Sequence, residues 1–187
     1  MFNQYTTGRI GVFIDESNLF HSQKTLSWRI DYKKLYWFLR DLNLFTNNIF
    51  LYTSFLYLNR KQNNFIEKLI SYGFVVHSKR VKEIRDKNGD IIRKGNLDIE
   101  LALDAFQFSH LYDTILLFSG DSDFAYLCDL LKERNKKIIV ISARHHISKE
   151  LLDRADLYVD LKKLRFIIEK LESVTKPPLR VELEVLQ

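Results

Sequence analysis

The sequence predicts an α/β fold: a three-layer αβα sandwich around a mostly parallel central sheet. Three observations predict it. Six short apolar runs punctuate the chain, most of them continuous in hydrophobicity instead of alternating, which is how strands buried on both faces read. Amphipathic stretches of helical length lie between them, and that alternation implies right-handed crossover units. One charged segment interrupts the alternation with the letters of a β-hairpin.

Taken in order, IGVFI at 10–14 opens the series. Asp31 is placed to cap a helix over 32–42, because a short acidic side chain accepts the free N–H groups of a first turn. IFLYTSFL at 49–56 reads as the second strand. A helix over 60–72 stops at Gly73, a residue suited to the left-handed position past a helix end. FVVH at 74–77 follows, then VKEIRDKNGDIIRKGN, in which Asn88-Gly89 between two β-prone runs is the strongest short-range hairpin signal. Helices over 97–108, 124–134, 148–155 and 162–171 alternate with strands TILLF (114–118), KIIVIS (137–142) and LYVDL (157–161). Residues 1–172 read as one domain. Residues 173–187, with Pro177-Pro178 near their start, read as an edge strand, a packed tail or a segment for self-association or a protein partner, and the letters do not choose among these.

The composition excludes several classes. A chain of 187 residues with 46% hydrophobic and 13% aromatic residues suits one domain with a sizeable core. No apolar stretch has the length of a membrane span, and MFNQYTTGR lacks the apolar stretch of a signal peptide. The single cysteine, Cys128, excludes an intramolecular disulfide and a cysteine-based zinc site. The expected setting is intracellular, in the cytoplasm, with no membrane partner. The net charge is +5, and the segment from Lys79 to Lys94, with seven basic and three acidic residues, carries +4 of it. Such a patch fits an anionic partner, with nucleic acid the commonest, or a solvated charged hairpin.

The acids fall where an open parallel sheet builds its sites, outside the carboxyl ends of the strands. Asp15 follows IGVFI directly, and Asp121 and Asp123 follow TILLF through a tight Ser-Gly step. Asp98 starts a helix after the basic hairpin, and Asp104 lies inside that helix. Any one of Asp15, Asp98 or Asp121 also suits a helix cap, but a cap needs one acid, and GDSD supplies two. Several carboxylates on one rim repel each other unless they are protonated or neutralised by a cation. Hard oxygen donors suit Mg2+ or Mn2+.

GVFIDESNLF, KGNLDIELALDAF and YDTILLFSGDSDFAYLCDLLKERNKKIIVIS resemble the three motif blocks of the NYN domain family, a branch of the PIN-like nucleases. SKELLDRADLYVDL resembles the family's closing strand region, so the resemblance covers residues 9–161. It implies a Rossmann-like PIN fold and a metal-dependent ribonuclease. By position Asp15 matches the family's first metal-binding acid, Asn18 the asparagine three residues on, and Asp98 the acid after the Lys-Gly step. Asp121 and Asp123 match the final acidic pair, and Asp104 the acid later in the same helix. Glu16-Ser17, Asn96-Leu97 and Asn135 depart from common family letters without removing an acid. Asn135 stands for a Gly, and Asn also tolerates positive φ.

The implied reaction is hydrolysis of single-stranded RNA with one or two divalent ions, Mg2+ or Mn2+, and no nucleophilic side chain. Lys94 is expected near the scissile phosphate, with Arg80, Lys82, Arg85 and Arg93 along the backbone. Tyr52, Tyr57 and Tyr126 are candidates for base stacking or for the core. His145-His146 sits on a loop near the rim, and Cys128 reads as a small buried residue. The competing reading is an RNA- or protein-binding regulatory module with little or no turnover. Ser17 lacks the second acid of a haloacid-dehalogenase phosphatase, GDSD does not fit a receiver domain, and DESN replaces the glycine-rich turn of a dinucleotide fold.

Overall fold

A computed structural model describes residues 8–42, 49–55, 60–85 and 87–171; the side chains of residue 84 and residues 92–94 lie outside that description. Six strands form one sheet in the order β3-β2-β1-β6-β7-β8, every neighbouring pair parallel. They are β1 (Ile10–Asp15), β2 (Ile49–Phe55), β3 (Val75–Arg80), β6 (Thr114–Phe118), β7 (Lys137–Ser142) and β8 (Leu157–Asp160). The expected hairpin is a separate antiparallel pair, β4 (Lys82–Arg85) and β5 (Ile91–Lys94), with Lys82 opposite Lys94.

Side chains of a strand alternate between its faces, and both faces here are apolar. Val12, Ile14, Leu116, Phe118, Ile139 and Ile141 join one core cluster. Phe13, Ile115, Leu117, Ile138 and Val140 join the other. Against the first face pack α1 (Glu16–Leu26), α2 (Tyr32–Leu42), α3 (Arg60–Tyr72) and α7 (Arg165–Ile168) through Leu19, Leu35, Leu39, Leu69 and Ile168. Against the second pack α4 (Asp98–Gln107), α5 (Ala125–Glu133) and α6 (Lys149–Arg154) through Leu101, Ala105, Leu127, Cys128, Leu131 and Leu151. Two packed helical layers over a buried parallel sheet make the sandwich.

Local chemistry sets the boundaries. Asp31 Oδ1 accepts from the N–H groups of Lys33 (3.0 Å) and Lys34 (3.2 Å) and caps α2. α3 ends at Gly73, whose φ of 109° is costly for any residue with a Cβ. Asn135 takes φ 57° before β7, so the expected tolerance is used. Two elements depart from the sequence reading. α1 has only a weak helical signature: Leu19 and Leu26, seven apart, face the same core, and only Leu19 and Ser22 of ESNLFHSQKTL are buried. The helix expected over 162–171 is instead a 3-10 turn (Leu161–Leu164) and the four-residue α7. Its end is pulled out to pair antiparallel with the segment after α1: Glu169 bridges Ile30, and Lys170 donates its backbone N–H to the Arg29 carbonyl at 2.8 Å. The expected C-terminal tail and Tyr57 lie outside the described residues.

Urea unfolding separates these contributions. Asp31→Ala is expected to lower the unfolding free energy by about 1 kcal/mol through loss of the cap. Leu116→Ala, at a fully buried position of the central strand, is expected to cost about 2–5 kcal/mol.

Candidate metal centre and nucleic-acid cleft

The strand order reverses between β1 and β6, which opens a crevice outside their carboxyl ends. β1 delivers Asp15 there, 8% exposed, as the N-cap of α1. Its Oδ1 accepts from Ser17 Oγ (2.7 Å) and from the Asn18 N–H (3.2 Å), and its Oδ2 from Ser119 Oγ (3.0 Å). Ser119, just after β6, also accepts the Asp121 N–H at 3.2 Å, so one hydroxyl joins the first acid to the last acidic pair. The turn is pressed against loop 143–147: a Cβ on Gly120 would collide with the His146 carbonyl oxygen, and only glycine fits.

Asp121 caps the short 3-10 turn Ser122–Phe124, its Oδ1 accepting the Asp123 N–H at 3.0 Å. Asp98 is the first residue of α4, with Oδ2 accepting from Asn96 Nδ2 at 2.5 Å. The structure brings Asp98, Asp121 and Asp123 together, with one carboxylate oxygen from each within 4.8 Å of the others. Burial first, then the charges of Asp15, Asp121 and Asp123, push the Asp98 carboxyl up to about 6, against the hydrogen bond from Asn96. Asp15 therefore belongs to the same electrostatic group. The donors are all hard oxygens of one sign, partly open to solvent, and that set fits a divalent ion such as Mg2+ or Mn2+.

The other expected residues lie as follows. Asn18 contributes its backbone N–H to Asp15, while its side-chain Oδ1 accepts from Ser142 Oγ at 3.2 Å, at the end of β7. Asp104 is not with the cluster: six positions along α4 from Asp98, it faces β2 and β3. Its Oδ2 accepts from Tyr52 Oη at 2.8 Å and stands 3.9 Å from His77 Nδ1. Tyr52 is buried on that bond, whereas Tyr126 is exposed beside the acidic turn. Arg80, Lys82 and Arg85 are exposed at and beyond the end of β3, on the same rim as the acids; Arg93 and Lys94 are in β5. Cys128 is buried, and burial pushes its thiol up to about 12. His146 Nε2 pairs with Thr25 Oγ1 of α1 at 2.7 Å.

Two residues of the site had weak signals in the sequence. Ser119 is one letter of a Ser-Gly step, which reads as a turn. Glu16 reads as the acidic first turn of a helix, but its Oε1 accepts from Tyr32 Oη (3.0 Å) and its Oε2 from Thr53 Oγ1 (3.1 Å). Burial pushes its carboxyl up to about 7, against those two hydrogen bonds and with a smaller push from Asp15. Glu16 lies in the floor of a long open cleft of about 2170 Å³, which also takes in Asp15, Asp98, Phe20, Phe65 and Trp28. Small-molecule pockets run to about 300–1,000 Å³, which this open groove exceeds.

Fold and centre together define a PIN-like nuclease fold with an acidic cluster at the sheet's reversal point. The chain belongs to the NYN domain family, whose sequence profile matches residues 9–164. Members of that family are generally nucleases, dependent on divalent metal and binding RNA. The chain is 36% identical over 176 residues to the Low amplitude and bright protein LabA of Synechococcus elongatus, spanning 90% of this chain and 91% of that one. It is also 36% identical over 88 residues to an uncharacterized protein of Methanocaldococcus jannaschii, 46% of this chain and 37% of that one. A crystal structure of a protein of unknown function from Vibrio parahaemolyticus superposes with a TM-score of 0.71 at 26% identity, covering 86% of this chain and 96% of that one. Among the described residues no helix is long and apolar enough to cross a membrane.

Glu16 makes stability pH-dependent. In the folded chain it keeps its proton up to about 7, while an ordinary glutamate ionises from 4.5. Its contribution is therefore fully present below 4.5 and is lost as pH rises to 7. In chelator, Glu16→Gln is expected to gain stability relative to the parent as pH rises through that window, read from thermal unfolding at several pH values.

Proposed function

We propose that this protein is a metal-dependent ribonuclease that hydrolyses phosphodiester bonds of single-stranded RNA. The observation that carries the reading is the meeting of Asp98, Asp121 and Asp123 within 4.8 Å, beside buried Asp15, at the reversal point of a NYN domain. A regulatory module that only bound RNA would gain nothing from carboxylates facing an anionic ligand.

Asp98, Asp121 and Asp123 would hold Mg2+ or Mn2+, and Asp15 would add its charge nearby. The ion supplies an activated water and stabilises charge on the phosphate. The chain's own residues do the rest. Ser119 fixes Asp15 and the Asp121 backbone through one hydroxyl. Asn18 and Ser142 tie the first turn of α1 to the end of β7, which keeps the β1 and β7 ends in register. Arg80, Lys82, Arg85, Arg93 and Lys94 lie on or beside the hairpin, where they attract and hold the sugar-phosphate backbone without reading sequence. The open cleft leaves room for an unpaired strand, and exposed Tyr126 offers a ring next to the acids.

The test is cleavage of end-labelled single-stranded RNA with Mn2+, with Mg2+ and with chelator. Asp121→Asn is expected to lose on the order of 100-fold or more of the rate, since a ligand's share of metal catalysis is worth several kcal/mol. Asp104→Asn, at a residue engaged with Tyr52, is expected to keep most of it. RNA that stays intact under every condition yet binds in a salt-dependent manner would establish the binding module instead.

The metal requirement also depends on pH. Asp98 has to lose its proton to hold a cation, so apparent Mn2+ affinity is expected to fall as pH drops below about 6. Metal titrations of activity at several pH values check this.

A further inference from the structure

A second cavity, of about 490 Å³, opens beyond the C-terminal end of α1, and its wall carries Trp28, Arg144, His145, Asp160, Lys162 and Arg165. We propose that this cavity is a phosphate subsite that holds a backbone phosphate of the bound RNA, remote from the bond that is cleaved. The assignment to RNA rests on the function proposed above.

The wall has donors and positive charge in excess. Arg144 and Lys162 are exposed and have no carboxylate partner among the described residues. Arg165 is engaged, giving Nε and Nη2 to Glu169 Oε2 (3.0 Å) and Oε1 (2.9 Å). Asp160 turns its Oδ1 to the Lys162 N–H at 3.0 Å, capping its own 3-10 turn. Trp28 also lines the cavity. It is only 6% exposed, and its indole Nε1, closed to solvent, has no hydrogen-bond partner among the described residues, so the indole serves as a reporter of what enters the cavity. An indole N–H donates and cannot accept, and a buried donor left unpaired is destabilising. Two cations without a carboxylate partner on the wall of one cavity suit an anion, and a backbone phosphate supplies it.

The placement joins this cavity to the acids. Trp28 lines it and also lines the long cleft that begins at Asp15 and Asp98. The eleven residues of α1 separate the two ends, about 16 Å at the α-helical rise. Loop 143–147, which carries Arg144 and His145, is fixed at both sides. His146 bonds Thr25 of α1, its carbonyl packs on Gly120, and the Ser148 N–H donates to the Gly120 carbonyl at 2.8 Å. An RNA strand that follows the cleft from the acid cluster along α1 passes Lys24 and Arg29 before it reaches Arg144 and Lys162.

Two readouts test the subsite, both in chelator so that RNA stays intact. The first is the affinity of a labelled unstructured RNA oligonucleotide across a salt series, for the parent and for Arg144→Ala/Lys162→Ala. The double variant changes exposed side chains only, and its thermal unfolding verifies the fold. It is expected to bind roughly tenfold more weakly, with a log–log salt slope smaller by about 0.7, the change for one phosphate that is no longer neutralised. The second is the indole N–H resonance of Trp28, distinguished from the other tryptophan by Trp37→Phe, during titration with the RNA and with inorganic phosphate. The RNA is expected to move it in the parent and not in the double variant. If inorganic phosphate moves it while the variant binds RNA with unchanged affinity and slope, the cavity takes free phosphate and the RNA subsite is overturned. If neither probe moves it and RNA binding is unchanged, the cavity takes no phosphate. A parent that cleaves RNA beside a variant that binds it normally defeats the subsite alone; RNA bound through Arg144 and Lys162 without metal-dependent cleavage defeats the nuclease reading alone.

Discussion

The carboxylate of Asp15 is the knot on which the rest of the site depends. It accepts from Ser17, from the Asn18 N–H and from Ser119, and so caps α1 while joining the ends of β1 and β6. Asn18 extends the tie to Ser142 at the end of β7. A buried carboxylate needs such donors, because removing its water without replacing those hydrogen bonds is strongly unfavourable. Three strand ends are therefore held in one arrangement by side chains at the acidic rim.

Around that knot the acids occupy graded environments. Glu16 sits in the cleft floor under two hydroxyls, and burial holds its proton on up to about 7. Asp98 is intermediate and feels the charges of three other aspartates. Asp121 and Asp123 are exposed at the tip of a turn. The gradient concentrates negative potential at one point open to solvent, where a divalent cation relieves the repulsion that the fold imposes. Positive charge is kept to the sides: the hairpin on one flank, and Arg144 and Lys162 on the other. That arrangement suits the RNA proposed as ligand, whose backbone would be attracted to both shoulders of the acidic centre.

Much of this was legible in the letters. TILLF and KIIVIS occupy the strands expected of them, Asp31 caps the expected helix, and Asn88-Gly89 makes the expected hairpin. These are local signals: a run buried on both faces, a cap, a turn residue. The signals failed where long-range contacts decide. α1 buries little, with only Leu19 and Leu26 at helical spacing on its core side, and the Asp15 cap marks its start. The helix expected past residue 161 is cut short by pairing with a segment 139 residues earlier, between Ile30 and Glu169. Asp104 stands in the same helix as Asp98 and has the same letter, yet the helical turn sends it to Tyr52 and His77.

By itself, the sequence determined the layer architecture, through runs buried on both faces and the helical stretches between them, and the family, through its motif blocks. Tertiary structure alone decided which acids meet, that Ser119 and Glu16 belong to the site, and that Trp28 is buried with an unpaired donor between two cavities. The physical reason is that hydrogen bonding and electrostatic repulsion act over a few ångströms. They depend on distances between residues remote in the chain, and those distances exist only once the sheet has been assembled.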